Sequence, residues 1–341
     1  MPPAPQGTIL PGTTIQLGRF TVVIDRYIAE GGFAHVYVGS ILNNGVIVPG
    51  YPVVIKRIAV ADKERLAVVN SEIETMKRLG KHKNIVEYMD SCMGKLEHGG
   101  YEVLILMEYC GGGPVIDLMN RRLQHRLTEP EILKIFSNVC EAVAYLHYCD
   151  PPILHRDIKV ENILLSNNDY KLCDFGSATT NILRGDNIPR NVKDIQLLEE
   201  EINNHTTLQY RAPEMLDLYM RKGIDEKIDI WALGVLLYKL CYYTTPFEEQ
   251  GQLAILNARY TIPDHPVFSP ALIGLFQSML KEDPRQRPNI YQVMKMTSTL
   301  RGLPCPIQNV SCRHISASLF RYRMPTSTTT DSRSYIDPSL V

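Results

Sequence analysis

Residues 228–243 read IDIWALGVLLYKLCYY, a helix-length run that is apolar on most sides. A segment of this kind cannot lie on a surface. Other helices have to surround it, so the chain must build a lobe around it. The run includes Asp229 and Lys239 and is too short to span a bilayer. Asp229 is an acid beside a core, and backbone N–H groups are its expected partners. At 341 residues the chain is long enough for such a lobe and a second, smaller one.

Candidates for the shell lie on both sides. Thr128-x-x-Glu131 is a capping box. It opens a helix with a stripe of Ile132, Ile135, Phe136, Val139, Val143 and Leu146, running to Pro151-Pro152. Further apolar helical runs surround Leu272–Leu280 and Tyr291–Leu300. Upstream of Gly111-Gly112-Gly113-Pro114 the pattern turns to strands. Phe20, Val22 and Ile24 alternate as in a half-buried strand. Residues 52–60 put Val54, Lys56 and Ile58 on one face, and residues 102–110 (EVLILMEYC) read as a buried strand. Ser40 to Tyr51, with Asn43-Asn44-Gly45 and Pro49-Gly50, reads as a long hairpin tip. One helix interrupts, over residues 62–80, with Leu66, Val69, Ile73 and Met76 as its stripe. Glu72 flanks that stripe and can reach inward, whereas Glu74 points toward solvent. The fold class is α+β: a small strand-rich lobe, then a larger helical one.

The polar residues that suggest chemistry cluster in a few places. Residues 155–162, HRDIKVEN, carry Asp157, Lys159 and Asn162 on one short segment, and Asp174-Phe175-Gly176 follows. Each tripeptide alone is weak, but the order and spacing are not a chance pattern. Lys56 lies among apolar neighbours and needs a partner, either water at a sheet edge or a phosphate. Gly31-Gly32, between two strand-like runs, is either an ordinary hairpin turn or a loop whose N–H groups face an anion.

Lys plus Arg (36) and Asp plus Glu (37) nearly cancel, which gives no general attraction to nucleic acid or to an anionic membrane. The eight Cys form no C-x-x-C pair and read as reduced thiols in a cytosolic protein. MPPAPQGTIL is not a secretory signal. Residues 1–17 read as a flexible leader and 304–341, rich in Ser, Thr, Arg and Pro, as a mostly disordered tail.

With these pieces in place, residues 20–303 resemble the eukaryotic protein kinases. The resemblance narrows to the Numb-associated kinase family and, within it, the fungal actin-regulating kinases. AEGGFAHVY, HKNIV, LILMEYC, HRDIKVENILL, KLCDFGSAT, TTLQYRAPEM, DIWALGVLLYKLCYYTTPF, DPRQRPNIYQV and CPIQNV carry it. The resemblance implies a bilobal fold with an N-lobe over 20–107, a hinge at 108–110 and a C-lobe over 111–303. It implies that Lys56, paired with Glu72, holds the ATP phosphates. Asp157 takes the proton of the acceptor hydroxyl, Lys159 neutralises the transferred phosphoryl group, and Asn162 and Asp174 hold Mg²⁺. Thr207 joins the catalytic hydrogen-bond set and, with Lys159, points to Ser/Thr acceptors. Ile28, Gly31, Gly32, Val36, Val54, Met107, Glu108 and Cys110 surround the nucleotide. Glu214 and Arg287 match a structural ion pair.

The same resemblance implies endocytic coat or actin-patch proteins as substrates, Thr followed by Gly as the favoured acceptor, and a cytoplasmic monomer at cortical actin patches. Some residues depart from the kinase pattern. Ala29 and Ala34 replace two of the usual loop glycines, and Val54 replaces the usual Ala and narrows the adenine slot. Asn181–Glu201 shows no anchor, and Arg156 is a possible partner for an activating phosphate. The alternatives weighed are a pseudokinase scaffold that binds endocytic partners and a small-molecule kinase of related fold. No catalytic group is missing, which disfavours the first. The full segment to Arg211-Ala212-Pro213-Glu214 disfavours the second. A tail without a P-x-x-P ligand fits either a nearly bare catalytic domain or a truncated form.

Overall fold

The computed structural model describes residues 7–31, 34–96, 99–248 and 251–309. The expected tail beyond residue 309, Gly32 of the loop and Cys312 lie outside them.

The N-lobe is a sheet of order β1-β2-β3-β4-β6-β5, antiparallel at every pairing. Its strands are β1 (Thr14–Leu17), β2 (Phe20–Gly31), β3 (Ala34–Asn43), β4 (Val46–Val60), β5 (Tyr88–Lys95) and β6 (Tyr101–Glu108). β4 is apolar on both faces because both are covered. Val53 and Ile55 pack on Leu17, Val22 and Tyr37, while Ile58 and Val60 pack on α1 (Lys63–Leu79). The expected stripe of α1 is buried: Leu66, Val69, Ile73 and Met76 are all inside. Asp62 caps the helix through its side chain, accepting from the Arg65 N–H at 2.7 Å.

One expectation changes here. Residues 14–17 are not part of a loose leader; β1 pairs with β2 from Thr14↔Val23 to Leu17↔Phe20. Leu17 is fully buried, and the Ile9 N–H donates to the Tyr37 hydroxyl, so apolar Ile9, Ile15 and Leu17 draw this stretch onto the sheet. The long hairpin tip expected at Ser40–Tyr51 is present, and its strands stay paired. β3 and β4 continue paired to Asn43↔Val46 and close through Asn44-Gly45, both at positive φ (50° and 77°). Asn-Gly is the pair that such a tight turn requires.

The C-lobe is built on α6 (Lys227–Tyr242), in which Ile228 through Tyr238 are all buried. It is flanked by α3 (Glu129–His147) and α8 (Pro270–Met279), and α9 (Ile290–Leu300) packs on those two. The α3 stripe is 0–1% exposed from Ile132 to Leu146. Its capping box forms, with the Thr128 N–H donating to Glu131 Oε2 at 2.8 Å. Shorter elements complete the lobe: α2 (Val115–Arg121), α4 (Val192–His205), α5 (Pro213–Leu216) and α7 (Gly251–Leu256). A small sheet, β7 (Gly113–Pro114), β8 (Ile163–Ser166) and β9 (Asp169–Leu172), lies next to the hinge. Among the described residues, no helix is long and apolar enough to cross a membrane.

Candidate active site

The buried Asp229 at the start of α6 holds the loop that carries Asp157. Its Oδ2 accepts from the His155 N–H and its Oδ1 from the Arg156 N–H, both at 2.9 Å. The His147 ring meets Oδ2 at 2.9 Å. Burial would raise the Asp229 pKa, but His147 and the His155 N–H hold it below the ordinary value. The expected backbone partners are therefore present. They fix Arg156 at φ 67°, a conformation that a residue with a side chain adopts only under constraint.

That loop brings the remaining groups together. Asn162 donates through Nδ2 to the Asp157 carbonyl (2.9 Å) and to Asp157 Oδ2 (3.0 Å). Its amide nitrogen is committed, so its carbonyl oxygen is the atom offered to a cation. Thr207 Oγ1 donates to Asp157 Oδ1 at 2.7 Å, and Lys159 Nζ reaches Thr207 Oγ1 at 2.9 Å and Asp157 Oδ2 at 2.7 Å. Phe175 is buried with its ring edge-on to His155, centroids 5.2 Å apart. This contact holds Asp174, itself at φ 62°, toward the N-lobe.

From the N-lobe, Lys56 Nζ donates to Glu72 Oε1 at 2.7 Å and to Asp174 Oδ1 at 3.2 Å. Burial alone would lower the Lys56 pKa, but Asp174 and Glu72 outweigh it and hold the ammonium above the ordinary lysine range. Lys56 in turn keeps Asp174 below the usual carboxylate range. Burial pushes Glu72 upward, opposed by Lys56. An ammonium has three donors, so one remains for an anionic ligand.

The apolar residues expected around a base line one side of this cleft. Register pairs Val36 with Lys56, Val38 with Val54 and Val54 with Met107, and Ile28, Val36, Val54 and Met107 are half-buried. The Glu108 side chain is tied off: Oε1 accepts from Lys171 Nζ at 2.7 Å and from the Glu87 N–H at 2.8 Å. The Glu108 N–H is committed as well, donating to the Glu87 carbonyl at 3.0 Å. Cys110 is buried, and burial pushes its thiol up to about 11. Gly112 lies so close to Leu165 that an added Cβ would stand 2.5 Å from the Leu165 side chain. Among the described residues, no three His, Cys, Asp or Glu gather as a metal site.

The stretch from Asn181 to Glu201, for which the sequence showed no anchor, is anchored. α4 buries Ile195 and Ile202, and Glu201 accepts from Arg156 at 2.7 Å. Its amphipathic pattern was the available signal. Below, Glu214 and Arg287 form a fully buried bidentate pair at 2.6 and 2.8 Å.

Residues 22–297 match the family model described as the protein kinase domain. A serine/threonine-protein kinase of Schizosaccharomyces pombe is 52% identical over 302 residues, covering 88% of this chain and 30% of that protein. Actin-regulating kinase 1 of Saccharomyces cerevisiae is 47% identical over 313 residues, covering 89% of this chain and 48% of that protein. A second actin-regulating kinase of that yeast is 46% identical over 301 residues, 88% of this chain and 37% of that protein. The chain thus spans between 30% and 48% of the length of these relatives. The match over most of the chain, together with the bilobal fold, establishes that it belongs to the protein kinase family and is related to fungal proteins named as serine/threonine and actin-regulating kinases.

Proposed function

We propose that the chain is an active Mg-ATP-dependent kinase that phosphorylates Ser and, preferentially, Thr in proteins. The observation that carries this reading is the pair of contacts that Lys56 makes with Glu72 and Asp174, which joins the N-lobe to the C-lobe residue offered to the metal. The donor set suits the cofactor. Asn162 and Asp174 offer two hard oxygen ligands, which suits Mg²⁺ because it keeps water and phosphate as its other ligands. When bound, Mg-ATP supplies the electrophilic phosphoryl group, and the metal offsets its charge.

The rest is done by the chain. Lys56 holds the α- and β-phosphates, and Glu72 keeps it from swinging. Asp157 orients the acceptor hydroxyl and takes its proton. Lys159 meets the charge on the phosphoryl group in transit. Thr207 fixes Asp157 through the 2.7 Å bond. Ile28, Gly31, Gly32, Val36, Val54 and Met107, with the backbone of Glu108 and Cys110, enclose the nucleotide. This assigns residues 20–303 as the catalytic domain, hinged at 108–110.

The substrates we propose are endocytic coat or actin-patch proteins, met in the cytoplasm at cortical actin. The names of the yeast actin-regulating relatives support this. An inert scaffold has in its favour the altered loop, where Ala29 and Ala34 replace two glycines, and the tail; against it, each polar group needed for transfer is present and in contact with another.

The test is Asp157→Asn in a transfer assay with Mg-ATP and arrayed peptides. Phosphorylation should fall about 10²–10⁴-fold with the melting curve unchanged. A wild-type rate in the variant removes Asp157 from the role of base. Absence of a Thr-Gly preference in the array removes the actin-patch assignment and leaves the kinase reading intact.

A further inference from the structure

The Tyr210 hydroxyl is a buried donor that the transfer reaction does not use. The residue is 5% exposed, and its phenolic proton meets no acceptor among the described residues. Burial and the charge of Glu161 push the hydroxyl far above the ordinary tyrosine range, so the proton stays on. Tyr210 follows Thr207 by one turn, its N–H donating to the Thr207 carbonyl at 2.9 Å, and Thr207 is bonded to Asp157. Buried polar groups are nearly always bonded, so a lone donor beside a reacting centre calls for a ligand as its partner.

Charged groups reach the same place from two other elements. Glu161, next to Asn162 in the loop that carries Asp157, has a side chain 43% exposed. Lys239 comes from α6, where it is the one residue from Ile228 to Tyr242 that is not buried. Its Nζ lies 3.6 Å from Glu161 Oε1. That is an ion pair, but it is longer than a hydrogen bond of about 2.7–3.2 Å, so donors and acceptors on both sides stay open to a third group. A second carboxylate lies within reach of the same ammonium. Glu248 Oε2 accepts from the Thr245 N–H at 3.0 Å and from the Thr244 hydroxyl at 2.8 Å. Those bonds, and then the Lys239 charge, hold Glu248 below its ordinary value. Two carboxylates therefore share one ammonium. Without it, they would draw a guanidinium or ammonium of a substrate into the recess.

We propose that Lys239 is a specificity-determining residue: its ammonium fills the anionic recess of Glu161 and Glu248 beside the acceptor and keeps basic substrate side chains out. This rests on the kinase reading above. The recess then takes an uncharged substrate residue, to which the Tyr210 hydroxyl and Lys239 offer donors. Selectivity of this kind comes from a repulsive element, and the repulsion is built into the core helix. α6 is the element least free to move, because Trp231, Leu233, Val235, Leu236 and Leu237 are all fully buried. Lys239 is therefore held at the recess by the packing of the lobe, and its side chain, 18% exposed, has little room to swing away.

The test uses the full chain and a peptide array in which Arg or Ala occupies each position flanking an acceptor Thr. K239M keeps most of the side-chain stem and removes the charge. Relative to wild type, it should raise kcat/KM for the Arg peptide over the Ala peptide about tenfold or more, at one flanking position and not at the others. The KM for ATP should stay within about twofold, because the nucleotide side is untouched. K239M combined with E161Q should give back most of the gain, since one carboxylate is then missing. The gain should also shrink as salt rises from about 0.05 to 0.5 M. Equal Arg-to-Ala ratios in wild type and K239M at every position overturn the proposal, whatever the melting temperature does. A gain spread evenly over all positions overturns it too, because that marks general attraction and not a subsite. If neither protein transfers phosphate to any peptide, the kinase reading fails. Fluorescence anisotropy with the Arg peptides then judges the recess alone, and equal affinity for wild type and K239M overturns it.

Discussion

Arg287→Ala should destabilise the C-lobe more than any surface substitution, and its effect can be worked out from the contacts. Both Arg287 and Glu214 side chains are 0% exposed. The guanidinium spends every donor. Two go to the Glu214 carboxylate, and the others to the carbonyls of Lys281, Lys227 and Glu282. It also lies over the Trp231 ring, 4.9 Å from the centroid. Truncation leaves a carboxylate in a dry site with no counter-charge, which costs about 3–5 kcal/mol. The orphaned carbonyls add to that, although such terms do not sum fully. Against a total stability of about 5–15 kcal/mol, the variant should be marginally folded. For a domain of this size each kcal/mol moves Tm by about 2 °C, so a fall of about 6–10 °C is expected. Arg287→Lys should fall nearly as far, because a point charge cannot meet both carboxylate oxygens and three carbonyls. Replacing the pair together, R287M with E214L, should regain part of the loss, since no lone charge is then left buried. Thermal melts with urea titration are the assay. A drop below about 2 °C for Arg287→Ala would refute the premise that this pair is dry and obligatory.

Two further predictions follow from the site and from the α3 cap. Lys56→Arg should reduce peptide phosphorylation about 10²-fold, because the planar guanidinium cannot keep both the Glu72 and Asp174 contacts while presenting its charge at the same point. Steady-state kinetics would show this, and a loss under about threefold would count against the assigned role. Glu131 is held at about 2, below its ordinary 4.5, chiefly by its hydrogen bonds with Arg122 and also by the Thr128 N–H. A depressed carboxylate stabilises the fold above its unfolded pKa and loses that contribution as pH falls through the folded value. The Tm difference between wild type and Glu131→Gln should therefore be present at pH 5 and shrink toward pH 2. It should amount to about 1 kcal/mol or less, because a side chain 42% exposed is well screened. A difference that grows on acidification would reverse the assigned sign.

Much of the architecture was legible from local pattern. The all-round apolar run at 228–243 demanded a surrounding lobe, and the stripes of α1 and α3 named their own buried faces. The capping box at Thr128 and Glu131 announced where α3 starts. The turn at Asn44-Gly45 was visible as turn chemistry, yet the pairing of the strands that it closes was not. Register comes from the partner strand, and β3 supplies it. Thr14–Leu17 was misread for the same reason. A short strand on a sheet edge owes its order to the surface that it covers, here Tyr37 and Val22.

From local pattern alone came the inventory of candidate groups: Lys56, Glu72, Asp157, Lys159, Asn162, Asp174 and Thr207 are each nominated by their neighbours in the chain. Their assembly was decided by tertiary structure. Lys56 and Asp174 are 118 residues apart in sequence and 3.2 Å apart in space, a distance set by how two lobes pack. The role of Arg156 was undecidable from its own segment. Whether it waits for a phosphate or already holds an anion depends on a carboxylate 45 residues away, brought to it by the buried face of α4. A long-range ion pair leaves no local trace, because neither partner's neighbours differ from those of a solvated charge.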